Sequence, residues 1–187
     1  MADGSTAWKH GSFYRLPTQA TVPNWREATP TNFVFAWKMS RFITHLKRLR
    51  DVEDSIVRAY APMLALGHKL GPCLAQLPPQ LGYDLPRLRD FLQLLPPERR
   101  HVVEFRRPDW YVDAVFEALS DYGVALCISD HHHAPAPWIA TARWAYVRGH
   151  GPGGRYRGAY SPETLSHGEK HIDMARCGSK CLCLLRQ

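Results

Sequence analysis

The sequence lacks any run of apolar residues long enough to cross a bilayer, so no membrane span is expected. Met1 to Gly11 has no apolar core behind a basic start, which argues against a secretory signal and for a cytoplasmic location. Cysteine is sparse, and five residues at irregular spacing do not suggest a disulfide framework. Three of them, Cys177, Cys181 and Cys183, stand near His171, but the second ligand pair of a zinc site is missing, so no metal is expected there. No segment repeats, and no phosphate-binding G-x-x-x-x-G-K-[ST] motif occurs. Acidic residues are in deficit: 17 Asp and Glu stand against 24 Lys and Arg, a formal charge of +7. That balance suits anionic partners such as nucleic acid, phosphorylated metabolites or acidic surfaces, although a solvated arginine-rich exterior explains it as simply. At 187 residues, 45% of them apolar, the chain is long enough for one sizeable core and too short for two ordinary domains.

What is present is an alternation of strand and helix patterns around His101 to Arg106, H-V-V-E-F-R. Before it lie F-V-F-A-W-K (Phe33 to Lys38), a helical pattern from Ser55 to Leu66, and an apolar run from Gly71 to Leu77. Pro62 should kink that helix, and Gly67 should end it. Asp84 can cap the next helix, whose Leu85, Leu88, Leu92 and Leu95 share one face. Val112, Val115, Phe116 and Leu119 stripe another, stopped by Gly123. Further apolar runs end at Ser129-Asp130 and at Arg148, and a short helix opens at Ser161-Pro162. These runs do not alternate, as expected of parallel strands buried on both faces, so the fold class is α/β with helices covering a parallel sheet. Each strand closes on a polar side chain: Lys38, Gln76, Glu104 with Arg106, Asp130, and Arg148 followed by His150. Carboxyl ends of parallel strands are where such folds build sites.

In order along the chain stand F-Y-R-L-P, the W…T-P…F-x-F-A-x-K strand, I-T-H-x-x-R-L, L-G-x-K-L-G-P-x-L-x-Q-L-P-P, V-E-F-R-x-P-x-W, S-D and Y-V-R-x-H-G. Together they resemble the domain of unknown function 72, or YecE-like, family, from about Ser12 to Leu165. The resemblance implies an eight-stranded β/α (TIM) barrel and no settled activity. It makes this chain a partial barrel with about five of eight strands, the third to the seventh. Complete barrels of this type take about 250 residues and at least about 200. The expected organisation is an unstructured stretch at 1–11, the partial barrel at 12–167, and an irregular tail at 168–187. One explanation covers both ends. With suitable codons, a shifted frame through Gly4 to Lys9 reads F-D-S-V-E, the family's second strand. The other shifted frame, through Met174 to Gln187, reads W-R-D-V-A-A-S-V-C-V-Y-F-D, ending in its eighth. Both termini are therefore expected to be out-of-frame translations, from a decayed gene or sequencing errors, leaving the edges of the third and seventh strands open.

Glu104 and Arg106 fall on one face of their strand, with Phe105 opposite. They form either a site in which the guanidinium keeps the carboxylate charged or an ion pair that braces the barrel. Candidate catalytic residues are Glu104, Asp130 and His150, a set suited to general acid–base work on an anion. Candidate ligand-binding residues are Lys38, Arg106, Arg148, Tyr14 and Gln76. His131-His132-His133 follow Asp130, but adjacent imidazoles in an extended loop diverge, so a solvated loop is the plainer reading. The loop G-P-G-G-R-Y-R-G after His150 could cradle phosphate, and Arg41 to Arg50, with Phe42 and His45 interleaved, could follow a phosphate backbone. The expected partner is a phosphorylated small molecule, or nucleic acid bound without catalysis, and an inactive remnant is the third reading. The residues name no cofactor and no oligomeric state.

Overall fold

In a computed structural model the described residues are 6–9, 16–18, 20–151, 160–161 and 180–185. They divide into two units: Met1–Gln76 with Pro86–His101, and Leu77–Leu85 with Val102–Gln187. The fold class is the expected one, α/β, a partial β/α barrel whose parallel strands alternate with helices.

The first unit opens with β1 (Thr6–Lys9) and α1 (Thr21–Glu27), then β2 (Val34–Lys38). The basic connection that follows contains a π-helical turn, Phe42–Leu46. Next come α2 (Glu53–Met63) and β3 (Leu70–Gln76), and α3 (Leu85–Gln93) lies almost wholly in this unit. The α-helix ends one residue after Pro62 and passes into a 3-10 stretch, Leu64–Lys69, that is broken at Gly67. Gly67 then takes a φ of +58°, which only glycine adopts without strain. α2 is tied to the start of the fourth strand by the Tyr60 hydroxyl, 2.6 Å from His101 Nε2, and to β2 by Trp37 packed edge-on against Tyr60.

Gly71 answers a different need. A Cβ there would stand 2.5 Å from Val34 Cγ1 and 2.8 Å from the Phe35 carbonyl oxygen. Backbone cannot step aside, so Gly71→Ala should force β2 and β3 apart and cost about 1–3 kcal/mol. Urea melts of the two chains measure this, and coincident midpoints would remove the argument.

The second unit holds most of β4 (His101–Glu104), then α4 (Asp113–Asp121), β5 (Ala125–Ser129), β6 (Trp144–Gly149) and β7 (Lys180–Leu185). Trp110 anchors the connection after β4: its ring stacks on Phe105, and its Nε1–H donates to the Leu81 carbonyl at 3.0 Å. α4 buries Val115, Ala118 and Leu119, but Val112 is 40% exposed because it precedes the helix in extended conformation. Thr141 Oγ1 donates to the Val124 carbonyl and accepts the Leu126 N–H, fixing the entry to β5.

Two expectations are corrected at the ends. β1 lies in the stretch expected to be unstructured, and β7 in the tail expected to be irregular. β1 runs parallel to β2, from Thr6 opposite Val34 to Lys9 opposite Trp37, and β7 runs parallel to β6 from Trp144 to Gly149. The edges of β2 and β6 are therefore paired rather than open. A ladder is built from backbone N–H and C=O groups, so it asks little of the side chains that carry it. The helix expected from Ser161 onward lies outside the described residues.

Candidate functional site

β4, β5 and β6 end side by side in the second unit, and register determines which side chains share a face. Ser129 is the partner of Arg148, and Cys127 of Tyr146. Period-two alternation then places Cys127 with Ser129, and Tyr146 with Arg148, on the face that receives Glu104. Glu104 is completely buried there. Its Oε1 lies 2.9 Å from Arg106 Nη2, and its Oε2 accepts from Arg148 Nη1 at 2.8 Å. One carboxylate thus stands between two buried guanidiniums.

His150 joins this cluster through a second carboxylate. Its backbone N–H donates to Asp130 Oδ1 at 2.6 Å, and its Nδ1 lies 3.1 Å from the same oxygen. A carboxylate only accepts, so Nδ1 carries the proton. The other nitrogen, Nε2, lies 3.3 Å from Arg106 Nη2, which only donates, and 3.5 Å from Glu104 Oε1. Asp130 therefore sets the tautomer of His150 and leaves Nε2 as an acceptor beside Glu104.

Tyr160 completes the arrangement from 30 residues away. Its hydroxyl donates to Asp130 Oδ2 and accepts the Gly151 N–H at 2.7 Å. A Cβ on Gly149 would stand 2.6 Å from that hydroxyl, so the approach requires glycine. Burial opposes charge on Asp130, yet the hydrogen bonds from His150 and Tyr160 outweigh it and hold its carboxyl below the usual range. Burial and the bond to Asp130 push the Tyr160 hydroxyl up to about 12, so it stays protonated and donates. Burial, helped by the Glu104 charge, raises the Cys127 thiol well above its ordinary value, leaving it inert.

The candidates fall into two groups. Glu104, Arg106, Asp130, Arg148 and His150 come together in the second unit. In the first unit Lys38 Nζ donates to Gln76 Oε1 at 2.9 Å, joining the ends of β2 and β3. Tyr14, His171 and residues 152–158 of the glycine-rich loop lie outside the described residues. The three adjacent histidines do not diverge, because the chain turns there instead of running extended. The His132 and His133 ring centroids are 3.7 Å apart, and the His131 ring lies 5.3 Å from that of His150. Two residues at this place were not among the candidate site residues, Ser129 and Tyr160. Ser129 had a signal, its position at the end of an apolar run; Tyr160 had none.

Parallel strands joined by helices, with charged side chains gathered at their carboxyl ends, define a β/α-barrel protein. No helix among the described residues is long and apolar enough to cross a membrane. The family model described as "Protein of unknown function DUF72" matches residues 10–186, and the chain belongs to that family. It is 32% identical over 114 residues to the UPF0759 protein YecE of Escherichia coli K12, and equally so to that of Escherichia coli O157:H7. Those matches take in 60% of this chain and 42% of each relative, so the chain spans less than half of their length. Its fold is similar to that of a DUF72 family protein from Thermotoga maritima MSB8, at a TM-score of 0.80 and 22% identity over 97% of this chain and 77% of that one. A DUF72 family protein from Enterococcus faecalis V583 gives a TM-score of 0.82 at 18% identity, over 97% of this chain and 82% of the other.

Proposed function

We propose that the second unit binds an anionic, phosphate-bearing ligand at the carboxyl ends of β4 to β6, and that His150 with Glu104 does acid–base work on it. The observation that carries this reading is the buried carboxylate of Glu104 between Arg106 and Arg148, with His150 Nε2 facing it. Two guanidiniums supply positive charge and planar donor geometry suited to phosphoryl oxygens. His150 has the form of a general base, oriented at Nδ1 by a carboxylate and presenting an acceptor at Nε2. Glu104, held charged between the arginines, would keep the resulting imidazolium in place.

The test is turnover of aryl phosphate monoesters and diesters by the whole chain. His150→Gln should lower turnover by about 10²–10⁴-fold while inorganic phosphate still binds. If phosphate binds but no ester turns over in the unaltered chain, the acid–base half of the reading is wrong.

One observation favours a second reading, binding of nucleic acid without catalysis. In the connection after β2, whose sequence carries Arg41, Lys47, Arg48 and Arg50, Phe42 is 46% exposed, with Lys47 Nζ 6.0 Å from its ring centre. An exposed aromatic in a basic segment, with a lysine near its ring, can stack a base and pair its phosphates. Its signature is affinity for single strands that falls linearly with salt on logarithmic axes and survives Glu104→Gln.

A further inference from the structure

Two buried polar atoms at the end of β5 have no hydrogen-bond partner among the described residues: Ser129 Oγ and His131 Nδ1. Ser129 is only 3% exposed, so bulk solvent does not reach its hydroxyl. Native proteins leave few buried polar groups unpaired, and an unpaired one calls for an explanation, of which a functional role or an absent ion is one. The side chains around them say what a ligand there would be. Ser129 shares its face with Arg148, its partner across the β5–β6 ladder, and β4 on the other side carries Arg106 just past its end. Neighbouring strands are about 4.8 Å apart. Donors on three successive strands therefore surround a point above the end of the middle one, which suits a group offering oxygens in several directions.

We infer that Ser129 and His131, with Arg106 and Arg148, form a subsite for a tetrahedral oxyanion, the phosphoryl group of the ligand. This rests on the proposed anionic ligand and adds which atoms seat it. Ser129 donates its hydroxyl, His131 donates from Nδ1, and the two guanidiniums balance the charge. The groups facing His131 are Arg106, His150, His132 and the carboxylate of Glu104. Burial first, and then the positive charge of Arg106, lower the His131 imidazole to about 4. A bound dianion reverses that field, so phosphate should draw the titration of His131 upward.

Calorimetric titration of the whole chain with inorganic phosphate, sulfate, phenyl phosphate and planar acetate tests the inference, alongside Ser129→Ala, His131→Asn and Arg148→Gln. Phosphate and sulfate should bind well above acetate. Phenyl phosphate binding as tightly as phosphate would mean that the subsite accepts an esterified group, and free phosphate binding alone would limit it to the inorganic anion. Ser129→Ala and His131→Asn should each weaken phosphate about tenfold or more. Ser129→Ala should also raise the melting temperature without phosphate, because it removes an unpaired buried hydroxyl, an effect that a merely structural serine would not give. If phosphate binds, Arg148→Gln abolishes it, and the Ser129 and His131 variants bind like the unaltered chain, the anionic reading stands and this subsite is wrong. If no tetrahedral anion binds, both fall.

Discussion

Glu104→Gln is expected to destabilise the chain by about 3–5 kcal/mol and, at the same time, to tighten its hold on phosphate. The two effects have one origin. Glu104 is completely buried, and its two oxygens lie 2.9 Å from Arg106 and 2.8 Å from Arg148. A guanidinium cannot shed its proton at any ordinary pH. Removing the carboxylate therefore leaves two buried cations without their fixed counter-charge, and an amide nitrogen in place of an acceptor oxygen. An anion from solution can supply the missing charge, so stability should rise more steeply with phosphate in the variant than in the unaltered chain. Urea melts across a phosphate series, at constant ionic strength, read both quantities. A variant that is destabilised and stays so at all phosphate concentrations would identify the cluster as a structural ion triad that no anion reaches. A variant as stable as the unaltered chain would mean that the cluster needs no counter-charge at all.

β2 to β6 were legible because each is an unbroken apolar run closed by a polar residue, and the same feature marked Glu104, Arg106, Asp130 and Arg148. Their pairing was partly legible too, since 104 and 106 must share a face of any strand. What could not be read was anything made by the backbone alone. β1 is four residues, T-A-W-K, with no pattern to distinguish it, yet its N–H and C=O groups pair with β2. β7 lies in K-C-L-C-L-L, where the cysteines drew attention to metal chemistry rather than to strand character. The histidine loop was misread because local conformation, not residue type, decides whether adjacent rings diverge, and the turn after Asp130 has no glycine or proline at 131–133 to announce it. Tyr160 reaches Asp130 across a separation of 30 residues, which no local window can reveal. His101 was read only as the first residue of a strand. Its side chain turns out to be a buried partner of Tyr60, because alternation sends 101 and 104 to opposite faces.

That buried histidine gives the second large effect, a loss of stability in mild acid. His101 is 4% exposed, and burial lowers its imidazole from 6.5 to about 4, against the opposing pull of the Glu98 charge. Burial also raises the Tyr60 hydroxyl far above its ordinary value, so Tyr60 keeps its proton and donates it to His101 Nε2 at 2.6 Å. Protonated Nε2 could not accept that bond, and the charge would sit buried beside the Tyr60 ring, 6.0 Å between centroids. Between pH 6.5 and about 4 the unfolded chain therefore takes up a proton that the folded chain refuses. Stability contributed by neutral His101 is complete above pH 6.5, falls as pH drops through that window, and is gone below about 4. At about 1.4 kcal/mol for each pKa unit the whole loss is about 3 kcal/mol, most of it reached by about pH 4.5. Urea melts at about pH 7.5 and about pH 4.5 measure it. His101→Gln keeps an acceptor for Tyr60 but cannot be protonated, so its midpoint should change much less between the two conditions. Some slope will persist, because His131 is also lowered to about 4, though it is more exposed and better screened. If the substituted chain loses as much stability in acid as the unaltered one, His101 is not the group that titrates.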